Sequence, residues 1–216
     1  MEHPILGSVK EFLDKEARNR NSQLLPFTCT GENVPTPVLM EGVPRLLEVD
    51  CSGNGLYGNG FGRAPFETIE RYLRYFTPTG TGNSNIIAIE APAGGYGMYN
   101  TATINAILST AFSGFKAAVL RSKLVGENVK TVIHTGHWGT GAYGGNRELM
   151  VLLQLIAAHL AEVDEFVFHT FDFNGTCDYE AGMNLFEKIT ENPIQVSKLI
   201  NNLATKNFVW GVSDGN

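Results

Sequence analysis

The amino-acid sequence predicts an α/β domain with a central sheet covered by helices on both faces. The first observation is that short apolar runs alternate with longer segments of helical periodicity; these runs lie at residues 46–49, 86–89, 131–133 and 166–171. The second is the length of 216 residues, 43% of them hydrophobic, which is enough chain to bury one sizeable core. We therefore expect residues 1–216 to form a single domain.

The first 45 residues are expected to form a surface helix and a connection without evident chemistry. Within residues 4–20, Ile5, Val9 and Phe12 share one side and charged residues occupy the other, which is the pattern of an amphipathic helix. Residues 21–45 contain four prolines between short β-type pieces. Because proline donates no hydrogen bond to a ladder, we expect a connection that includes an edge strand.

Charge, cysteine content and hydropathy bound the partners and the location. The net charge of −6 offers no electrostatic footprint for a nucleic-acid backbone, so no DNA partner is expected. Cys29, Cys51 and Cys177 show neither metal-ligand spacing nor an even disulfide set, which is typical of a reducing compartment. We see no signal-peptide pattern and no apolar run long enough to span a bilayer. These features predict a soluble intracellular protein, cytoplasmic or nuclear, without a membrane partner.

The run VIHTGHWGTGAYGGN, residues 132–146, joins a predicted strand to a predicted helix through five glycines, and residues 136–146 are called the glycine-rich loop below. Glycine accepts positive φ and lets another molecule approach the main chain closely. Asn146 is a suitable N-cap, and apolar residues recur at helical spacing after it. Exposed N–H groups of such a loop and of a helix start favour an anion, most often phosphate or diphosphate. The alternative is a glycine-rich connection without a ligand.

The same loop contains GTGAYG, residues 139–144, which fits the dinucleotide fingerprint G-x-G-x-x-G between a strand and a helix. A second copy, GNGLYG, stands at residues 53–58 after the apolar run 46–49. Two copies in one small domain argue against the nicotinamide fingerprint. An NAD-dependent oxidoreductase is therefore a remote alternative.

The segment TGHWGTGAYGGNRELMVLLQLIAAHLAEVDEFVFHTFD resembles the diphosphate-binding segment of poly(ADP-ribose) glycohydrolases. In that family a pattern close to TGNWGCGAFGGD precedes an alanine- and leucine-rich helix and a strand that ends in TFG. Upstream, NIIAIEAP is similar to the family's IVAIDA strand, and INAILSTAFSGF to its helix ending in AYCGF. The resemblance covers residues 85–172 well. It implies a macrodomain-like three-layer fold with a central mixed sheet, ADP-ribose or poly(ADP-ribose) as ligand, and no cofactor.

The resemblance also implies a set of ligand-binding residues. The diphosphate is expected at the glycine-rich loop, at His137, Trp138, Gly139, Thr140, Gly141, Ala142, Tyr143, Gly144, Gly145 and Asn146. Tyr143 takes the place of a loop phenylalanine near the distal ribose, and Phe171 takes the place of the aromatic platform that stacks on adenine. The alternative for both aromatics is an ordinary place in the core.

The segment that carries catalysis in the family differs here. The family has a GGG motif, a short spacer and then QEE, which opens a helix. In this chain GNG aligns with GGG and FET, residues 66–68, aligns with QEE, after Pro65 as the helix start. Residues 51–62 are expected to form a loop that is also rich in glycine, and the residues expected to line the ligand there are Asp50, Gly53, Asn54 and Gly55. The helix is expected to bury Phe66, Ile69, Leu73 and Phe76.

In this alignment Glu67 keeps the first acid of the family's pair, and Thr68 replaces the second, catalytic one. Cleavage of an O-glycosidic bond to ribose needs an acid for the leaving oxygen and a base for water. Threonine supplies neither, so Glu67 is the predicted catalytic residue, with Glu70, one turn on, as the fallback. The alternative for each is a solvated carboxylate favoured by the helix dipole.

Histidine spacing does not predict a metal site. His134 lies at a strand end and His137 in the glycine-rich loop, and no cysteine or carboxylate pattern completes a ligand set. Three classes of function remain. They are a glycohydrolase acting on poly- or mono-ADP-ribose, a module that binds ADP-ribose without cleaving it, and the oxidoreductase.

Overall fold

A computed structural model describes residues 2–19, 30–31, 34–50, 56, 58–75, 83–92, 94–192 and 194–214. The chain contains both strands and helices in alternation along much of its length, as the sequence predicts for an α/β domain. The elements are, in chain order, α1 (Pro4–Asn19), β1 (Thr30–Gly31), β2 (Val34–Pro35), β3 (Val38–Pro44), β4 (Leu47–Val49), α2 (Gly58–Arg63), α3 (Phe66–Glu70), β5 (Leu73–Tyr75), β6 (Asn83–Ala88), α4 (Thr101–Val125), β7 (Val132–Thr135), α5 (Arg147–Ala161), β8 (Glu165–Phe168), α6 (Phe173–Thr190) and α7 (Val196–Ala204).

The strands of the described residues pair two by two. β1 pairs with β2, β3 with β6 and β4 with β5, all antiparallel, whereas β7 and β8 are parallel. The parallel pair places Thr135 opposite Phe168, so the chain leaves both strands at the same end. That end carries the glycine-rich loop and the start of α6. A single central sheet with helices on both faces stays a prediction, since each described sheet has two strands.

The core is built around α5, whose residues 149–158 are all buried. A helix that is apolar on every side is stable only when neighbours cover it, and α4 and α6 both pack against it. Gly182 allows α6 to come close, because a Cβ there would lie 2.7 Å from Cγ1 of Val151. α5 is therefore fixed along its length, and its first residues hold the end of the glycine-rich loop.

α4 corrects one expectation. By length and composition it is apolar enough to cross a bilayer, and 44% of its most apolar window is buried within the protein. The expectation that no run of this kind exists is therefore wrong. A core helix has the same composition, and α4 packs against α5 and α7.

The region of the predicted catalytic helix also differs from expectation. α3 ends at Glu70, and Leu73 belongs to β5, where it pairs with Val49 of β4. Phe66 is 61% exposed and Ile69 is the residue of the predicted face that is buried in α3, whereas Phe76 lies outside the described residues. α2 occupies residues predicted to be loop. The cause is a long-range contact, because the N–H of Asp50 donates to the carbonyl of Tyr72 and the chain turns back along β4.

Candidate functional site

The glycine-rich loop is a sequence of tight turns between β7 and α5. The N–H of Gly144 donates to the carbonyl of Gly141 at 2.9 Å, and that of Gly145 donates to the carbonyl of Gly139 at 3.0 Å. Gly139 and Gly144 have φ of 73° and 61°, which non-glycine residues rarely adopt. Glycine at these two positions therefore permits the tight turns of the loop.

Within residues 139–146 of the loop, four amides make no hydrogen bond to any part of the chain that the structure describes. They are the N–H groups of Gly139, Gly141, Ala142 and Tyr143. The N–H groups of Arg147 and Glu148, in the first turn of α5, have no intrahelical acceptor either. Neighbouring amides in successive turns, together with the positive end of a helix, make a concave site for an anion. The geometry thus agrees with the predicted phosphate loop.

Asn146 is the N-cap of α5, as predicted. Its Oδ1 accepts from the N–H of Leu149 at 3.0 Å, and its Nδ2 donates to the carbonyl of Val209 at 3.1 Å. Its backbone N–H donates to the hydroxyl of Tyr99 at 2.9 Å. Its carbonyl accepts from the N–H of Met150 at 2.9 Å, so all of its polar groups are used to fix the helix start, and Asn146 supports the site through α5.

Residues 208–214, called the 208–214 segment below, run along the glycine-rich loop. The N–H of Gly211 donates to the carbonyl of Gly144 at 2.7 Å, and that of Asp214 to the carbonyl of Gly141 at 3.4 Å. A Cβ on Gly144 would lie 2.9 Å from the carbonyl oxygen of Gly211. This contact was not predicted, because only the short apolar run 207–210 marks the segment in the sequence.

The glycines of the loop therefore have structural reasons as well. A Cβ on Gly145 would lie 2.6 Å from the carbonyl oxygen of Gly139, and one on Gly139 would lie 2.9 Å from Cδ of Pro92. Glycine density alone does not separate a ligand loop from a close-packed connection. The unpaired amides are the feature that a phosphate-binding loop requires and a close-packed connection does not.

Tyr99 and Trp210 connect the 208–214 segment to the end of the glycine-rich loop. Their rings stack with centroids 4.3 Å apart and an interplanar angle of 12°. Tyr99 is buried, and this burial raises the pKa of its phenol above the ordinary value, although the hydrogen bond from Asn146 acts the other way. The neutral hydroxyl can then accept the Asn146 N–H, which ties the 208–214 segment to the start of α5.

His137 and Trp138 point to opposite sides of the loop. Nε2 of His137 lies 3.2 Å from the carbonyl oxygen of Gly175 in α6, and its ring meets Phe168 edge-on at 5.1 Å. Because a carbonyl only accepts, Nε2 carries the proton and Nδ1 is a bare acceptor. Trp138 instead lines a cleft of about 490 Å³ together with Glu90, Tyr96 and Trp210.

Two ring nitrogens in this pair have no partner. Nδ1 of His137 and Nε1 of Trp138 are both buried without a hydrogen bond in the described part of the chain. Burial, and then the charge of Arg147, lowers the pKa of His137 below its ordinary value, so the ring is neutral near pH 7. Unpaired buried polar atoms are uncommon and concentrate at functional sites.

Phe171 lies at the mouth of the same region and is fully exposed, at 102% of its reference area. Its φ is 71°, a left-handed conformation that is costly for a bulky residue. β8 ends at Phe168, so Phe171 stands three residues beyond the strand, directly before the α6 cap Asp172. Tyr143 is also 49% exposed. The alternative of ordinary core aromatics is therefore wrong for both residues.

The predicted catalytic residues are not bonded to the glycine-rich loop within the described part of the chain. Glu67 and Glu70 are exposed on α3, and no hydrogen bond or ion pair between described residues links α3 to the glycine-rich loop. The carboxylate of Asp50 accepts from the guanidinium of Arg74. Gly53, Asn54 and Gly55 lie outside the described residues. The structure thus places His137 of the glycine-rich loop against α6 and leaves the ligand roles of Phe171 and Glu67 as predictions.

Histidines in the described ranges form a pair that sequence spacing did not suggest. Nδ1 of His134 lies 3.1 Å from Nε2 of His169, and the two rings stack at 5.4 Å. His134 therefore partners a residue after β8 rather than His137. In the described part of the chain, no group of three or more histidine, cysteine or acidic side chains could hold a metal ion.

Comparison with known protein families agrees with this geometry. The family model described as poly(ADP-ribose) glycohydrolase, macrodomain fold, matches residues 63–178, more than half of the chain. The match begins before α3 and ends within α6. It includes Glu67, the whole glycine-rich loop and Phe171.

Proposed function

Because the chain belongs to the poly(ADP-ribose) glycohydrolase family, we propose that it binds ADP-ribose and hydrolyses the O-glycosidic ribose bond of poly- or mono-ADP-ribose. The observation that carries the proposal is the set of unpaired amides at Gly139, Gly141, Ala142 and Tyr143 beside the start of α5. A family that acts on a diphosphate-containing ligand needs such a site. We also infer the central mixed sheet with helices on both faces that is implied by the macrodomain fold.

In this proposal the diphosphate lies on the glycine-rich loop. Phosphate oxygens accept from the loop amides, and the dipole of α5 favours their charge. Each charge-assisted hydrogen bond of this kind is worth about 1.5 to 3 kcal/mol. The loop contributes main-chain donors, so the contact depends on its shape more than on the identity of its side chains.

The adenine stacks on Phe171 and the distal ribose lies near Tyr143. The Phe171 ring is fully exposed on a strained backbone, so it contributes no packing energy to the folded protein. It gains from a ligand, because base stacking on an aromatic side chain is worth about 1 to 3 kcal/mol. The distal ribose then extends from the diphosphate toward Tyr143 of the glycine-rich loop.

Hydrolysis in this proposal depends on Glu67. It lies in the first turn of α3 with its carboxylate exposed, and in the alignment that the family resemblance implies Thr68 stands where the family has a second glutamate. Glu67 alone would first protonate the leaving oxygen and then activate water, which predicts slower turnover than a carboxylate pair gives. The same observation supports the second candidate, a module that binds ADP-ribose without cleaving it. Family membership removes the reason for an NAD-dependent oxidoreductase.

Release of ADP-ribose from poly(ADP-ribose) and from mono-ADP-ribosylated protein tests the proposal. Glu67→Gln should lower the rate by roughly 10²- to 10⁴-fold, the usual worth of general acid–base catalysis, and leave ADP-ribose affinity nearly unchanged. Glu70→Gln tests the fallback. Glu127→Gln is a matched control, since Glu127 is exposed in the turn after α4.

Three outcomes separate the candidates. If the parent protein releases ADP-ribose and only Glu67→Gln is slow, the hydrolase with Glu67 as its acid is supported. If Glu67→Gln is as fast as the parent, the acid is elsewhere. If the parent binds ADP-ribose and releases none from either substrate, the binding module replaces the enzyme.

A further inference from the structure

Arg147 is the one lysine or arginine between residues 131 and 187, a stretch that contains eight aspartates and glutamates. This stretch includes β7, the glycine-rich loop, α5, β8 and most of α6. Within this stretch a diphosphate has eight acidic side chains and a single cationic one available to it. The position of that side chain therefore matters for any anionic ligand.

Arg147 is the first residue of α5 and directly follows the cap Asn146. Its Nη1 lies 3.6 Å from Oδ2 of Asp178 on α6, and the two side chains are 42% and 36% exposed. The distance exceeds that of a hydrogen bond, so this is a loose ion pair at the surface. The guanidinium thus lies at the gap between the starts of α5 and α6.

Its neighbours place this gap at the candidate site. His137 of the glycine-rich loop feels the charges of Arg147, Asp178 and Asp172. Phe171 stands directly before Asp172, the cap of α6. The guanidinium is therefore close enough to His137 to act on its charge, and Arg147 directly follows the glycine-rich loop on whose amides the diphosphate would lie.

Resting on the proposed function, we propose that Arg147 binds the diphosphate of ADP-ribose and that Asp178 holds its guanidinium until the ligand replaces it. A guanidinium presents a planar fork of donors that matches two phosphate oxygens. Releasing it from Asp178 costs little, because an exposed ion pair is worth less than about 1 kcal/mol. The exchange makes Asp178 a competitor of the ligand.

A purely structural role for the pair predicts different behaviour. If Arg147 and Asp178 only tie α5 to α6, removing either partner loosens the same contact. Both variants would then lower the melting temperature and weaken every ligand in the same direction. The exchange predicts opposite signs, because Arg147 helps the ligand and Asp178 opposes it.

The experiment is calorimetric titration of ADP-ribose and adenosine into Arg147→Gln, Arg147→Lys, Asp178→Asn and the double variant. Arg147→Gln should weaken ADP-ribose by roughly tenfold to a hundredfold and leave adenosine, which has no diphosphate, unchanged. Arg147→Lys, which keeps charge and loses the fork, should fall between the parent and Arg147→Gln. Asp178→Asn should tighten ADP-ribose by about twofold to fivefold, and most of that gain should vanish in the double variant.

Lys198→Gln is the control for net charge, because Lys198 is exposed on α7 and shows no ion pair to the described residues. The inference is overturned if Arg147→Gln binds ADP-ribose within twofold of the parent, or if Asp178→Asn weakens it as Arg147→Gln does. If the parent itself binds no ADP-ribose, the proposed function fails and this inference fails with it. If the parent protein and Arg147→Gln bind ADP-ribose equally well, the inference about Arg147 fails, but the proposed function is still supported.

Discussion

Replacing Phe171 with glycine should change stability and binding in opposite directions. The ring is fully exposed, so its removal forfeits no packing, and its φ of 71° is strained for a residue with a Cβ. Left-handed backbone costs such a residue about 1 to 2 kcal/mol. Glycine removes that strain but adds about 0.5 to 1 kcal/mol of chain entropy. The expected result is an unchanged or higher free energy of unfolding, by up to about 1.5 kcal/mol.

The same change should weaken ADP-ribose, because the stacking platform is lost. A loss of about 1 to 3 kcal/mol corresponds to an affinity lower by roughly five- to 150-fold. Phe171→Ala keeps the backbone strain and loses the same ring, so it should bind equally weakly without the gain in stability. Comparing the two variants therefore separates the effect of backbone strain on stability from the effect of the aromatic ring on ADP-ribose affinity.

Thermal unfolding and calorimetric titration measure the two effects. A gain of 1 kcal/mol raises the melting temperature by about 2 to 4 °C in a chain of this size. Phe173→Ala is the matched control, since Phe173 is 80% exposed nearby and has no assigned ligand contact. Affinity equal to the parent in both Phe171 variants would refute the adenine platform. Lower stability of Phe171→Gly would refute the strain.

Two further predictions concern the glycine-rich loop. Gly144→Ala should lose about 1 to 3 kcal/mol of stability by urea unfolding, because φ is 61° and the new Cβ would lie 2.9 Å from the carbonyl oxygen of Gly211. Gly97→Ala, at φ of 72° with open space around it, should lose less, and equal losses would argue against the contact with the 208–214 segment. The pKa of His137 is lowered from 6.5 chiefly by burial, so the unfolded chain binds more protons below that pH and the free energy of unfolding should fall as pH falls through about 6.5. His137→Gln should flatten that fall, and an unchanged slope would assign it to another group.

Features set by neighbouring residues were predictable from the sequence. The start of α5 followed from Asn146 and the apolar spacing after it, because a cap and a helical stripe are local patterns. α1 followed from its amphipathic pattern in the same way. The unpaired amides of the glycine-rich loop also agree with the prediction, since the positions of the glycines decide which turns are possible.

Features set by contacts between distant residues were not predictable. α3 is short because Asp50 bonds to Tyr72 and draws Leu73 into a strand, which no pattern within residues 66–76 indicates. The contact of Gly211 with Gly144 and the pair of His134 with His169 join residues far apart in the chain. The strand expected to reach Phe171 ends at Phe168, and Phe171 is exposed with a left-handed backbone.

The central claim is that the diphosphate of ADP-ribose lies on the amides of the glycine-rich loop. Amide proton shifts of the parent protein during titration with ADP-ribose test it directly. The account predicts saturable downfield shifts at Gly139, Gly141, Ala142 and Tyr143, and none at these four when adenosine is titrated instead. Saturable binding of ADP-ribose that leaves all four amide protons unshifted would contradict it.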